Sequence, residues 1–319
     1  MALGEFELIR RYFSRVGAAR DDVLLGVGDD AALVAPPAGQ VLAMAVDTLV
    51  EGVHFLPDDP ADSIGHRALA VNLSDLAAMG AEPAWCLLSL TLARTDEAWL
   101  EGFARGMASL ARRHRVALIG GDTTSGRLTV AVTVVGFVPA ATALRRDGAR
   151  DGDAIFVSGS VGDAAAGLAL RRGSLSAAGA DAGALRGRYL RPEPRVALGL
   201  ALRGVASACI DVSDGLGGDL RKLCEASGVG ADLDGGALPV SPELRRAVAD
   251  RHRAMALGGG DDYELLFTVP PGRCAGVERL ASVTPVTRIG RIRGGTGVCC
   301  DGVALEGEAG HGFDHFREP

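Results

Sequence analysis

The stretch Leu128–Val138, LTVAVTVVGFV, predicts a buried β-strand. Valine and threonine dominate it, and these β-branched residues are enriched in strands. The segment that follows, 139–153, is polar and rich in arginine and glycine, which is typical of a connection between domains. We therefore place a boundary near residue 148, which predicts one domain over 1–148 and a second over 149–319.

Apolar runs of strand length alternate with amphipathic runs of helical period along the rest of the chain. The other predicted strands are Val41–Asp47, Cys86–Leu92, Ala117–Ile119, Ile155–Ser158, Ala208–Val212, Leu265–Val269 and Val286–Ile292. The predicted helices are Glu5–Val16, Ser63–Met79, Asp96–His114, Asp163–Arg171, Glu193–Arg203, Asp214–Ser227 and Pro242–Arg251. The segment 172–187 is rich in glycine, alanine and serine and predicts a flexible loop. This mixture of strands and helices predicts an α/β (α+β) architecture with two domains.

The composition argues against several classes of protein. The 319 residues carry 33 basic and 40 acidic side chains, a net charge of −7 that disfavours binding to nucleic acid or to anionic membranes. No apolar run reaches the roughly 18 residues of a membrane-spanning helix and the first residues lack a signal-peptide pattern, so we expect a cytoplasmic protein. Lys222 is the only lysine. No glycine run precedes it, which excludes a P-loop, and we expect it on an exposed helix face.

Short apolar or glycine-bearing runs stop repeatedly at an aspartate. The pattern occurs at Asp30, Asp47, Asp75 and Asp122, and in the segment that holds Asp211 and Asp214. Burying an unpaired carboxylate costs several kcal/mol, so a shared cation would explain the pattern. Hard oxygen ligands without a histidine–cysteine cluster favour Mg²⁺. The alternative is that each aspartate is an ordinary turn or capping residue.

The sequence contains no convincing nucleophile paired with a base. The segment Ser158–Gly162 has its glycines in the wrong places for a nucleophile elbow. His54 is a lone histidine after a predicted strand, a placement more typical of a structural role. The segment Gly258–Glu264, GGGDDYE, is a sharp polar loop whose tight backbone suits close approach to a ligand, with an ordinary glycine turn as the alternative.

Seven ordered motifs resemble those of the thiamine-monophosphate kinases, a family in the superfamily of aminoimidazole ribonucleotide synthetase. They are GEFELI (4–9), GVGDDA (26–31), DTLVEGVHF (47–55), AVNLSDLAAMGA (70–81), GGDT (120–123), DVSDGL (211–216) and GDDYEL (260–265). The resemblance extends from about residue 4 to Phe316. It implies an N-terminal domain whose sheet pairs with that of a second copy to form a barrel-like homodimer core, and a C-terminal α/β domain.

The implied enzyme is a phosphotransferase with a phosphate group as acceptor. It converts ATP and thiamine monophosphate into ADP and thiamine diphosphate by direct in-line transfer, with several Mg²⁺ ions bridging the phosphates. The attacking phosphate oxygen is already ionised at neutral pH, so no general base is expected. Partners other than ATP, thiamine monophosphate and a second copy are not implied.

The resemblance also implies a role for individual residues. The positions that match metal-binding aspartates are Asp30, Asp47, Asp75, Asp122, Asp211 and Asp214. Those that match ATP-binding positions are Gly121, Asp122, Arg146 and Ser213, with Arg146 also neutralising charge. Those that match positions around the thiamine phosphate are His54, Asp261 and Phe313.

The chain departs from the family pattern at a few places. Ala45 and Val46 stand where hydroxyl residues are frequent, Asp261 where glutamate is usual, Phe313 where tyrosine or tryptophan is more common, and Arg67 where lysine is frequent. Two alternatives stay open on the sequence alone: a sister ATP-dependent enzyme acting on an aminoimidazole precursor, and a Mg²⁺–nucleotide sensor without turnover.

Overall fold

The computed structural model describes residues 4–280, 282–313 and 316. The chain forms two compact units. The N-terminal unit comprises the residues up to Leu76 together with Ala81–Ala141, and the C-terminal unit comprises Ala77–Gly80 together with the residues from Thr142 onward. The predicted two-domain, mixed α/β organisation is confirmed, while the boundary at 148 stays a prediction.

A four-stranded sheet forms the centre of the N-terminal unit. The N-terminal unit has six strands within the described residues, four of which form this sheet. They are β1 (Val23–Leu25), β2 (Leu33–Val34), β3 (Val41–Val50), β4 (Glu82–Leu92), β5 (Ala117–Ser125) and β6 (Thr129–Val138). The helices are α1 (Glu5–Leu8), α2 (Ala61–Ala78) and α3 (Glu97–Arg113). The sheet has the order β3-β6-β4-β5, in which only the β4–β5 pair is parallel, and β1 and β2 form a separate antiparallel hairpin.

Two of the predicted strands continue past the aspartates at which we expected the apolar run to stop. β3 extends through Asp47 to Val50, and β5 extends through Asp122 to Ser125. Both are edge strands of the sheet, where a carboxylate remains partly accessible and avoids the cost of full burial. The expectation that these aspartates end their strands is therefore wrong, whereas Asp211 does close its strand.

A seven-stranded mixed sheet forms the centre of the C-terminal unit, as far as the structure describes it. Its strand order is β13-β12-β9-β11-β7-β10-β8. Its strands are β7 (Ala154–Ser158), β8 (Ala208–Asp211), β9 (Gly230–Leu233), β10 (Leu265–Val269), β11 (Val286–Arg293), β12 (Val298–Cys300) and β13 (Val303–Ala304). The helices are α4 (Asp163–Arg171), α5 (Gly179–Leu190), α6 (Val196–Ala201), α7 (Leu216–Ser227), α8 (Pro242–Val248), α9 (His252–Gly258), α10 (Cys274–Leu280) and α11 (Glu308–His311).

The predicted flexible loop over 172–187 is wrong for its second half, because α5 begins at Gly179. Ala182, Leu185 and Tyr189 recur at helical spacing and are buried, and the first two join a core cluster with residues of α4 and α8. The glycines of this segment lower its helical propensity and obscure the pattern. Packing against α4 and α8 decides the conformation here.

The apolar segments of the described chain do not include a membrane-spanning helix. No helix in that part is both long enough and apolar enough to cross a bilayer.

Candidate functional site

In the N-terminal unit, a buried asparagine ties β3 to α2 beside two of the predicted metal ligands. The Asn72 side chain is fully buried, its Oδ1 accepts the N–H of Asp47 at 2.9 Å, and its Nδ2 donates to the carbonyl of Ala68 at 2.9 Å. Asp75 follows Asn72 by three residues, so both lie on one side of α2. The unit thus brings Asp47 and Asp75 towards one face of the sheet. The sequence analysis quoted Asn72 within a motif but missed this positioning role.

Asp122 lies on the opposite face and the opposite edge of the same sheet. It is in register with Ser89, whereas Asp47 is in register with Val132, which is paired in turn with Leu88. Two strands separate β3 from β5, which corresponds to about 14 Å at the usual strand spacing. Within one chain, Asp47 and Asp122 therefore cannot bind the same ion, because Mg²⁺ binds oxygen at about 2.1 Å.

Gly121, Asp30 and His54 occupy local turns and edges of the N-terminal unit. Gly121 has a φ of +150°, and a Cβ there would overlap the carbonyl oxygen of Leu88, so no larger residue fits without a shift. Asp30 is exposed, and its N–H donates to the side chain of Asp29 at 2.8 Å. His54 accepts the N–H of Val50 through Nδ1 at 3.0 Å, which gives this ring a structural role in the turn after β3.

The C-terminal unit gathers several predicted residues around the turn that follows β8. The N–H of Asp261 donates to the carbonyl of Ser213 at 2.8 Å, and the N–H of Phe313 donates to the carbonyl of Asp214 at 3.1 Å. Asp211, the last residue of β8, is in register with Leu265 of β10. Backbone hydrogen bonds thus connect residues that are predicted to bind metal, ATP and the substrate. The side chain of Phe313 is 57% exposed.

Lys222 does not lie on an exposed helix face, which corrects our expectation. It is on α7, its side chain is only 38% exposed, and its Nζ forms ion pairs with both Asp214 and the buried Asp219. Asp219 in turn accepts the N–H groups of Ser213 and Asp214 at 3.0 Å each. Burial raises the pKa of Asp219, and the Lys222 ammonium opposes this rise. Apart from the i,i+3 spacing of Asp219 and Lys222, no pattern in the sequence predicts this cluster.

Arg146 lies at the surface beside the start of β8. Its carbonyl accepts the hydroxyl of Ser227 at 2.7 Å, and the carbonyl of the preceding Arg145 accepts the N–H of Cys209 at 2.9 Å. These bonds fix the backbone around Arg146, and the residue as a whole is exposed. A cation held in this way can meet an anionic ligand such as a triphosphate.

The predicted aspartates suit a Mg²⁺ ion that is coordinated partly by substrate phosphates. They do not suit a metal site built from protein ligands alone. Among residues 4–280, 282–313 and 316, no group of three or more His, Cys, Asp or Glu side chains is arranged to hold a metal. Each unit instead has two of the predicted aspartates close along the backbone: Asp47 donates its N–H to Asn72, three residues before Asp75, and Asp211 precedes Asp214 by three residues. Protein-bound Mg²⁺ commonly uses one or two carboxylates, with substrate phosphates and water completing the octahedron. The residues present fit that mode.

Comparison with known proteins assigns the family. The sequence matches the family models "AIR synthase related protein, N-terminal domain" over residues 28–138 and "AIR synthase related protein, C-terminal domain" over 150–298. It is 50% identical over 329 residues to thiamine-monophosphate kinase from Escherichia coli and 48% identical over 327 residues to that from Salmonella typhimurium, covering 100% of both chains in each case. The chain belongs to the thiamine-monophosphate kinase family.

Solved structures of thiamine-monophosphate kinases share this fold. The enzyme from Stenotrophomonas maltophilia matches with a TM-score of 0.87 and 50% identity, over 96% of this chain and 99% of that one. AaThiL complexed with AMPPCP and TMP matches with a TM-score of 0.81 and 34% identity, over 99% of both chains. Structures of the hydrogenase maturation protein HypE share the fold alone, at 22% identity and a TM-score of 0.74.

Lys222→Met is expected to lower the free energy of unfolding by about 1–3 kcal/mol, because it leaves the Asp214 and Asp219 carboxylates adjacent without their cation. Urea unfolding followed by circular dichroism measures this change. The double variant Lys222→Met/Asp214→Asn should recover part of the loss, since it removes one of the two like charges.

Arg246→Met is the matched control, because it breaks an exposed ion pair with Asp181 on the same unit. Its effect should be much smaller than that of Lys222→Met. Equal losses in the free energy of unfolding for the two single variants would contradict this prediction, and so would no recovery in the double variant. Either result would show that the Lys222 ion pairs stabilise the fold no more than an exposed ion pair does.

Proposed function

We propose that this chain transfers the γ-phosphoryl group of ATP to thiamine monophosphate, giving thiamine diphosphate and ADP. The observation that carries the proposal is the 50% identity to a thiamine-monophosphate kinase over the full length of both chains. AaThiL, which covers 99% of this chain, is complexed with AMPPCP and TMP, a pairing that fits a nucleotide donor with a phosphate acceptor.

The reaction needs charge neutralisation and alignment more than proton transfer. A terminal oxygen of the acceptor phosphate attacks the γ-phosphorus of ATP, and the bond to the β–γ bridging oxygen breaks as ADP leaves. The second pKa of a phosphate monoester is about 6, so the attacking oxygen is already ionised at neutral pH. This chemistry agrees with the absence of a convincing base in the sequence. The main barrier is the approach of two polyanions.

The proposed roles of the residues follow the family positions and the local geometry. The magnesium ligands are Asp30, Asp47, Asp75, Asp122, Asp211 and Asp214; the ATP-binding residues are Gly121, Asp122, Arg146 and Ser213; and the residues around thiamine phosphate are His54, Asp261 and Phe313. When bound, Mg²⁺ supplies positive charge against the phosphates. Arg146 adds a protein cation, and the exposed ring of Phe313 offers a stacking surface to the heterocycle.

A homodimer through the N-terminal sheet is part of the proposal. The edge strand β3 exposes Met44 (64%) and Val46 (61%) on one face, and Leu87 of β4 is 37% exposed. In register, Val46 and Leu87 flank Thr133 of the intervening strand β6, so they lie on one face of the sheet. A long apolar edge strand left in water invites association, which supports pairing with a second copy. Burial of these side chains would supply the driving force.

The function is tested by incubating the purified protein with ATP, Mg²⁺ and thiamine monophosphate and separating the products by chromatography. Thiamine and an aminoimidazole ribonucleotide precursor serve as alternative acceptors. Thiamine diphosphate should form only from the monophosphate and only with Mg²⁺. Product from the aminoimidazole precursor, or nucleotide binding without any product, would instead support the sister enzyme or the sensor.

Asp47→Asn and Asp122→Asn are each expected to reduce kcat at least a hundredfold while the fold persists, since each removes a proposed ligand of the Mg²⁺ that offsets the phosphate charge. Steady-state assays at saturating Mg²⁺ and circular dichroism measure the two effects. The control is Asp21→Asn, a change at an exposed aspartate of the same unit. Turnover near the wild-type level in both site variants would contradict the proposed ligand set.

The double variant Met44→Glu/Val46→Glu is expected to be monomeric, because it places two charges in the proposed interface. Light scattering after size exclusion should give the mass of two copies for the wild type and of one for the variant. Val303→Glu, at a valine of the C-terminal unit that is 70% exposed, should remain dimeric. A wild-type monomer at micromolar concentration, or an unaltered dimer of the double variant, would refute this interface.

A further inference from the structure

Four residues, Asp261–Glu264, extend the pairing of β8 and β10 beyond the sheet. The N–H of Tyr263 donates to the carbonyl of Val212, and the N–H of Val212 donates to the carbonyl of Glu264, both at 2.8 Å. The side chains of Asp262 and Glu264 both make buried contacts within the C-terminal unit. Asp262 and Glu264 are 1% and 0% exposed, whereas Asp261 is half-buried and its Oδ1 accepts the hydroxyl of Tyr263 at 3.2 Å.

Glu264 is clamped by three side chains from distant parts of the C-terminal unit. Its carboxylate accepts Arg195 at 2.6 and 2.5 Å, Arg188 at 2.7 Å and the Ser158 hydroxyl at 2.5 Å. Burial by itself would raise the pKa of Glu264, but the two guanidinium groups and the hydroxyl outweigh it and hold the pKa below its usual range. Glu264 is therefore an ion-paired anchor whose donors come from β7, from α5 and from the segment just before α6.

Asp262 provides a second inward contact of the same segment. Its carboxylate accepts the N–H of Gly162 at 2.5 Å and that of Ala164 at 3.2 Å, at the start of α4. The two inward residues thus fix the segment to the strand β7 and to the first turn of α4. Glu264 has the denser set of charged partners and is the better target for a test.

The other two residues of the segment occupy a backbone conformation that needs such support. Asp261 has a φ of +70° and Tyr263 a φ of +50°, in the left-handed region that residues other than glycine rarely adopt. Each such residue costs on the order of 1 kcal/mol or more and persists where the surrounding contacts determine it. The inward anchors on either side of Tyr263 supply those contacts, and the result is that Asp261 is held beside Ser213 and Asp214.

We propose that Glu264, held by Arg188, Arg195 and Ser158, is a positioning residue that fixes Asp261 for binding of the phosphate acceptor. The inference rests on the proposed function, which makes Asp261 part of the acceptor site. Glu264 itself does not contact the reacting atoms. Loss of the anchor releases the strained segment, so the acceptor loses a preorganised contact. The ATP side keeps its support, because Asp219 holds the N–H groups of Ser213 and Asp214 independently of Glu264.

The test uses Glu264→Gln and the milder Ser158→Ala, which removes one donor to Glu264 and the acceptor of the Leu265 N–H but leaves both arginines in place. In Glu264→Gln the KM for thiamine monophosphate should rise at least tenfold while the KM for ATP changes less than twofold. In Ser158→Ala the same split should appear at about two- to fivefold. Hydrogen exchange of the Asp261 and Tyr263 amides should accelerate in both variants. Arg246→Gln, at the exposed pair with Asp181, is the control and should leave both KM values unchanged.

Several results would overturn the inference. A merely structural role would lower the fraction of active protein, so kcat would fall while both KM values stay at the wild-type level. Equal changes in the two KM values, or unaltered exchange at Asp261 and Tyr263, would also contradict positioning. If Glu264→Gln does not fold, Ser158→Ala decides alone. A wild-type enzyme that does not turn over thiamine monophosphate would refute the proposed function. Hydrogen exchange at the Asp261 and Tyr263 amides would then still test whether Glu264 holds this segment.

Discussion

A carboxylate removed from water must be paired, and this requirement shapes the C-terminal unit around its candidate site. An unpaired buried carboxylate costs several kcal/mol, so Asp219 and Glu264 each draw their donors from distinct segments. Asp219 takes the N–H groups of Ser213 and Asp214 together with Lys222, and thereby fixes the turn after β8. Glu264 fixes the segment that faces this turn. The two buried charges thus hold opposite sides of one site.

Local periodicity explains where the sequence predicted the fold well, and tertiary packing and strand order explain where it did not. Asp163–Arg171 and Leu265–Val269 have the predicted bounds, because their apolar periodicity and their flanking polar residues agree. α5 was missed because glycine and alanine hide a buried face that only packing against α4 and α8 determines. The ends of β3 and β5 were misplaced because an aspartate on an edge strand is not a stop signal.

For the candidate site, the sequence motifs predicted which residue types matter but not how they are distributed. Backbone bonds around Ser213 bring Asp261, Asp214 and Phe313 together, as one expects of a shared site. Asp47 and Asp122 instead occupy opposite edges of a sheet, a consequence of strand order that no local pattern encodes. Lys222 and Glu264 were missed for the same reason, since their partners are set by tertiary packing. The functional roles of the predicted residues remain proposals.

The central claim is direct transfer of the γ-phosphoryl group between two bound substrates, and one labelling experiment tests it most directly. The protein is mixed with ATP labelled in the γ-phosphate, Mg²⁺ and thiamine monophosphate in a single turnover, and the quenched products are separated. Direct transfer predicts that the label appears in thiamine diphosphate as ATP is consumed and that no label is bound to the protein at any time. Label released only as inorganic phosphate, or a labelled protein formed without the acceptor, would contradict the account.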